Sequence, residues 1–177
     1  MRVSIFFLCF VFLYSCKDLE PRKPVNLPKK SELQQSIELN KQLFGYEQEL
    51  IEQYIKLDTL YSYTNSHKGF WYSYIHKKEK GVTPVKGNTV TFEQEILALD
   101  GTVLYDKDRI GQRKYVVDKE HITKGLKEGI KLMKVGEEMK FIFSSFVAFR
   151  MNGDNEGIIR ENEPVICKLK LIEINNN

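Results

Sequence analysis

At 177 residues, with 42% hydrophobic and 29% charged side chains, the chain has room for one ordinary domain plus an appendage and the balance of a water-soluble fold. Its formal net charge of +3 falls to near +2 without residues 1–15, where Arg2 is the sole charge. Lys and Arg are scattered among acids rather than gathered on a stripe, so nucleic acid is not expected as a partner.

The chain opens with Arg2 and an apolar run from Val3 to Tyr14. About a dozen residues fall short of the ~20 needed to span a bilayer but suit the core of a secretory signal. Leu13, Tyr14 and Ser15 then precede Cys16, an order that resembles the lipobox of bacterial lipoproteins, with Tyr14 bulkier than usual. The expectation is a signal peptide over residues 1–15, removed with Cys9, and an acylated Cys16 of the palmitate type. Only Cys167 then remains, so no disulfide can form within the mature chain. Residues 16–30 read as a tether, because residues 17–30 hold three of the five prolines and seven charges, which cannot pack a core.

A helical segment is expected over 31–66. Ser31 with Gln34 forms a capping pair, and Leu33, Ile37, Leu43 or Phe44, Leu50, Ile51, Tyr54, Ile55 and Leu60 recur at spacings of three and four. Gly45 is expected to divide it into helices near 31–44 and 46–63. The stripe is read as packing on the domain behind it, with a dimerisation arm as the other reading.

From Gly69 short aromatic and β-branched runs take over. Phe70, Tyr72 and Tyr74 alternate with Trp71, Ser73 and Ile75, a strand with two usable faces. Val90–Leu99 and Thr102–Tyr105 read as strands joined by an Asp100-Gly101 hairpin. Tyr115–Val117, Met139–Ser144 and Val165–Ile174 complete the strands, and Lys124–Met133 is the one helix. The class is α+β: an antiparallel sheet wrapped on a single helix over 69–174, preceded by the short helical segment.

Several motifs in this region resemble the FKBP-type peptidyl-prolyl cis–trans isomerases. Asp100-Gly101 matches the family's D-G turn, and Ile122-Thr123-Lys124-Gly125-Leu126 its V-I-x-G-W run. Glu128-Gly129, Met133 and Val135-Gly136-Glu137 match E-G…M…G-E, and Gly157-Ile158-Ile159 the G-I-I before the last strand. With the lipobox, the helical segment and Gly69-Phe70-Trp71-Tyr72, the chain looks like the gliding-motility-associated isomerase lipoproteins of Bacteroidetes.

The resemblance implies rotation about X–Pro bonds without a cofactor or metal. Thr123 would supply the catalytic backbone N–H, and Leu104, Tyr105, Ile122, Leu126, Phe149 and Ile159 would bind substrate. The family's pocket has lost members: Leu126 stands for the indole, Gln94 for a Tyr, Phe149 for a Tyr and Cys167 for a Phe. The middle-strand aromatic falls at Arg113 or Tyr115. Weak activity with an apolar preference before proline is therefore expected, and poor binding of macrolides.

Other constellations carry little chemistry. His67, His76 and His121 lack metal-site spacing, Cys167 reads as a core residue, and Asp154-Asn155-Glu156 as a flap tip rather than a Ca²⁺ loop. The expected partners are proline-containing polypeptides, the membrane through the lipid and proteins of an envelope complex. The expected location is the bacterial envelope, on the outer membrane facing the periplasm. A non-catalytic FKBP-like binding module is the second reading.

Overall fold

The computed structural model describes residues 30–176. The expected signal peptide, Cys16 and most of the tether lie outside them. Among the described residues no helix is long and apolar enough to cross a membrane.

Helix α1 runs without interruption through Lys30–Leu57. This corrects the division at Gly45. That glycine is exposed, and a Cβ there would meet nothing within 4 Å. It costs the helix about 1 kcal/mol of propensity, which does not break a segment held by packing further along. The segment 31–66 is also helical only to Leu57. Asp58 leaves the helical path to take hydrogen bonds from Tyr54, Tyr63 and Lys140. Thr64–Asn65 already forms strand β1.

Seven strands make one antiparallel sheet. β2 is Phe70–His76, β3 Thr89–Ala98, β4 Val103–Tyr105, β5 Arg113–Val116, β6 Glu138–Phe143 and β7 Val165–Asn175. The order is β1-β2-β6-β7-β3. β4 and β5 share the free edge of β3, β4 opposite Ile96 and Leu97, β5 opposite Thr89 to Phe92. The hairpin forms where Asp100-Gly101 placed it: Gly101 has φ +89°, and Asp100 Oδ1 accepts from Thr102 N–H at 2.8 Å. Two short elements were not expected. Helix α2, Lys107–Ile110, is capped by Asp106, whose carboxylate accepts from Arg109 N–H at 2.7 Å. A 3₁₀ turn covers Arg150–Asn152.

Helix α3, Lys124–Ile130, lies across the inner face of the sheet. Gly125 and Gly129, one turn apart, are what let it come close. A Cβ on Gly125 would sit 2.5 Å from the Phe143 ring, and one on Gly129 3.0 Å from Phe141. Those two rings are stacked, with centroids 5.4 Å apart and 11° between planes. Leu126, Ile130 and Met133 complete the inner core, Met133 in the turn after the helix. The alternation in β2 sorts as its pattern indicates. Phe70, Tyr72 and Tyr74 face inward, while Trp71 points outward to a smaller cluster with Ile51, Leu97, Ile142 and Ile166.

The C-terminal half of α1 covers that outer cluster. Ile51 is fully buried in it. The Glu47 carboxylate accepts from the N–H and, at 2.7 Å, the hydroxyl of Ser145. Lys140 Nζ lies 2.6 Å from Asp58 Oδ2 and over the rings of Tyr61 and Tyr54, at 4.6 and 5.2 Å from their centroids. Residues 31–39 are exposed throughout.

Candidate functional site

A cup of about 230 Å³ opens where the start of α3 meets the sheet. Ile122, Thr123 and Leu126 form one wall. Gly125 N–H donates to Val147 O at 2.8 Å, which holds the helix start against the loop after β6. That loop contributes Ala148 and Phe149. The floor comes from inward positions of paired strands: Gln94 and Ile96 on β3, opposite Leu169 and Cys167 on β7.

Thr123 N–H donates to no protein acceptor among the described residues. Its carbonyl accepts from Lys127 N–H at 3.0 Å, so its backbone is fixed by the helix. A free, immobilised donor beside an apolar cup is suited to hold a peptide carbonyl.

A second groove of about 370 Å³ adjoins the cup and shares Gln94, Ile96, Arg113 and Phe149 with it. Tyr105 and Asp154 line its far side. The Tyr105 hydroxyl donates to the Asp154 carboxylate, which also accepts from the N–H groups of Ile158 and Ile159 at 2.9 and 3.1 Å. Burial and that bond push the Tyr105 phenol up to about 12. For Asp154, burial raises the carboxyl, but the donors outweigh it and hold it below its usual range.

The structure therefore brings Ile122, Thr123, Leu126 and Phe149 together in the cup and sets Tyr105 at the adjoining groove. Leu104 and Ile159 are placed elsewhere, outside the linings of the cup and the groove. Leu104 packs against the inner core from β4. Ile159 is 1% exposed, drawn into the core as its N–H and carbonyl bond Asp154. The open choice between Arg113 and Tyr115 resolves to Arg113, because Tyr115 is 1% exposed and belongs to the inner core. Ile96, Phe143, Ala148 and Val165 also line the cup and were not expected there. Two-residue alternation through Gln94 and Ile96 was the available signal for the first of these. Burial pushes the Cys167 thiol up to about 12, against a smaller opposing pull from Arg113. That thiol is not a nucleophile at neutral pH.

Comparison with known proteins agrees with this architecture. A protein of Neisseria meningitidis described as "Probable FKBP-type peptidyl-prolyl cis-trans isomerase FkpA" is 31% identical over 100 residues. The match covers 56% of this chain and 36% of that relative, so the chain spans about a third of its length. A peptidyl-prolyl cis-trans isomerase structure from Pseudomonas syringae pv. tomato superposes with a TM-score of 0.63 at 14% identity, over 77% of this chain and 96% of that one. FkpA from Escherichia coli gives 0.62 at 19% identity, over 87% and 75%. The family described as FKBP-type peptidyl-prolyl cis-trans isomerase matches residues 80–172. More than half of the sequence is thereby accounted for, and the chain belongs to the FKBP-type peptidyl-prolyl cis-trans isomerase family.

Proposed function

We propose that this protein catalyses cis–trans isomerisation of X–Pro bonds in exported polypeptides while held to a membrane by lipid on Cys16. The observation that carries the catalytic part is the unpartnered Thr123 N–H beside the cup of Ile122, Leu126 and Phe149.

The barrier to be lowered is about 18–20 kcal/mol, set by amide resonance. No covalent step is needed. As the C–N bond twists, its carbonyl loses conjugation and becomes more ketone-like, a form that an apolar cup solvates better than the polar planar amide. Seating the prolyl ring on Leu126 removes water from the rotating bond. Thr123 N–H holds the peptide on one side of that bond while the other turns. The enzyme thus binds the twisted amide better than either planar form. Leu126 offers less ring-stacking area than an indole, and Phe149 has no hydroxyl to donate, so the rate is modest.

Purified residues 30–177 should accelerate isomerisation of a short proline peptide in a protease-free assay. Leu126→Trp should raise the rate, Thr123→Val should change it little, and Leu126→Asp should abolish it. In peptide titrations the amides of Ile122 and Thr123 should shift. If shifts gather on residues 40–57 of α1 and no rate is seen, the binding-module reading replaces the catalytic one.

The anchoring rests on the Leu13-Tyr14-Ser15-Cys16 order and the proline-rich stretch after it. Each buried methylene contributes about 0.8 kcal/mol, so several acyl chains anchor durably. We place the protein in the bacterial envelope, at the outer membrane facing the periplasm. Envelope or gliding-motility proteins would be its clients. Cys16→Ser should leave an unprocessed precursor that takes up no labelled fatty acid; normal processing and labelling would remove the anchor from this account.

A further inference from the structure

The cup is not wholly apolar. Arg113 and Gln94 stand at inward positions of neighbouring strands, Arg113 paired with Phe92 across the β3–β5 ladder. The Arg113 guanidinium carbon lies 5.9 Å from the centre of the Phe92 ring, so the side chain is directed along the sheet rather than away from it. It lines both the cup and the adjoining groove. No carboxylate pairs with it among the described residues, and no hydrogen bond ties it down. The acids nearby are engaged elsewhere: Glu156 with Arg109, and Asp154 with Tyr105 and two backbone N–H groups. Gln94 is 6% exposed, and its Oε1 has no donor. Thus a free cation and a frustrated acceptor border the place where a prolyl peptide would lie.

Resting on the isomerase reading above, we propose that Arg113 is a specificity-determining residue selecting peptides with an acidic side chain next to the proline, whose carboxylate it receives in the groove. A guanidinium gives a carboxylate two parallel donors, a geometry no apolar neighbour offers. Gln94 serves the same peptide differently. Its amide needs a donor, and proline has no N–H, so a flanking backbone N–H is the group it accepts once the amide turns into the cup. The selectivity departs from the apolar preference expected from sequence, where Arg113 had no settled place in the pocket.

The test uses matched peptides Ala-Glu-Pro-Phe, Ala-Leu-Pro-Phe and Ala-Lys-Pro-Phe, with kcat/KM and binding measured on the same protein. The Glu peptide should be favoured over the Leu peptide by about fivefold, the gain of one partly exposed charge pair. The Lys peptide should rank last. The preference should shrink in 1 M NaCl, where charges are screened beyond about 3 Å. Arg113→Met should bring the Glu and Leu values together, and Arg113→Lys should restore part of the difference. Gln94→Leu should weaken all three peptides alike. An unaltered melting curve would separate these effects from misfolding.

Turnover without charge preference, or a preference that survives Arg113→Met, overturns the proposal and leaves the isomerase reading standing. Selective binding of the Glu peptide without turnover supports the proposal and sinks the isomerase reading. Failure of every peptide to bind overturns both.

Discussion

On its inner face the sheet is closed by α3 through glycines, stacked rings and methionine; on its outer face α1 is docked through one fully buried isoleucine, the partly buried Tyr54 and Ile55, and two polar anchors. The inner contact has no titratable group among its buried members other than Tyr115 and Cys167. The outer one depends on Glu47 at Ser145 and on Asp58 at Lys140. The first is a jigsaw, intolerant of volume change and indifferent to salt. The second is a latch, tolerant of shape and sensitive to charge. One chain thus fixes α3 and its leading helix α1 by different means.

The largest expected effect comes from cutting into the inner face. Met133 is fully buried, so Met133→Ala should cost about 2–5 kcal/mol in urea unfolding. A negligible change would show that this face is looser than described. The latch comes next. Lys140→Met leaves the Asp58 carboxylate with only its tyrosine donors and should cost about 1–3 kcal/mol. Adding Asp58→Asn should cost less than the sum of the two single changes, because they share one interaction. Additive losses would mean that the pair is a bystander.

Overfilling sharpens the contrast. Gly125→Ala drives a methyl to 2.5 Å from Phe143, while Gly129→Ala comes to 3.0 Å from Phe141, a ring that has to give by only a few tenths of an ångström. The first should lose about 1–3 kcal/mol despite a helix-propensity gain of up to about 1 kcal/mol. The second should come out near neutral. Equal effects would place α3 further from the sheet.

The smallest effect is in pH. Burial raises the Asp58 carboxyl, yet bonds from Lys140, Tyr63 and Tyr54 leave it below its usual value. Its contribution is therefore complete above the ordinary carboxylate range and lost as pH falls through the lowered value. Glu128, held to about 2 by Lys131 and Lys68, loses its contribution between about 4.5 and about 2. Trp71 is the single tryptophan and belongs to the outer cluster, so its emission should report the latch loosening in acid. The signal should precede loss of the inner core, and Asp58→Asn should flatten it.

Much of the inner face was legible in the chain. Period-two patterns fixed which side chains of β2 face α3, and Asp100-Gly101 fixed the hairpin. Gly45 misled because propensity is local, whereas α1 persists through contacts with Ile142 and Ile166, distant in sequence. Helix α2 is a single turn set by one Asp106 cap, too short for periodicity to register. In the site, Ile122, Thr123, Leu126 and Phe149 were legible because they flank one helix start or one loop. Ile159 was not, since Asp154 turns its side chain inward through backbone bonds that leave no sequence trace. The placement of Arg113 depends on β3–β5 register, which a single residue of slip would invert.

Cys167, the only cysteine among the described residues, has a practical consequence. Its thiol borders the cup, is 4% exposed and stays protonated at neutral pH. An alkylating reagent can reach it as a thiolate only when the strand opens or the cup breathes. Labelling rate then becomes a built-in clock for that opening, with no engineered reporter needed. A peptide seated above it should slow the clock, and its affinity can be read from the delay.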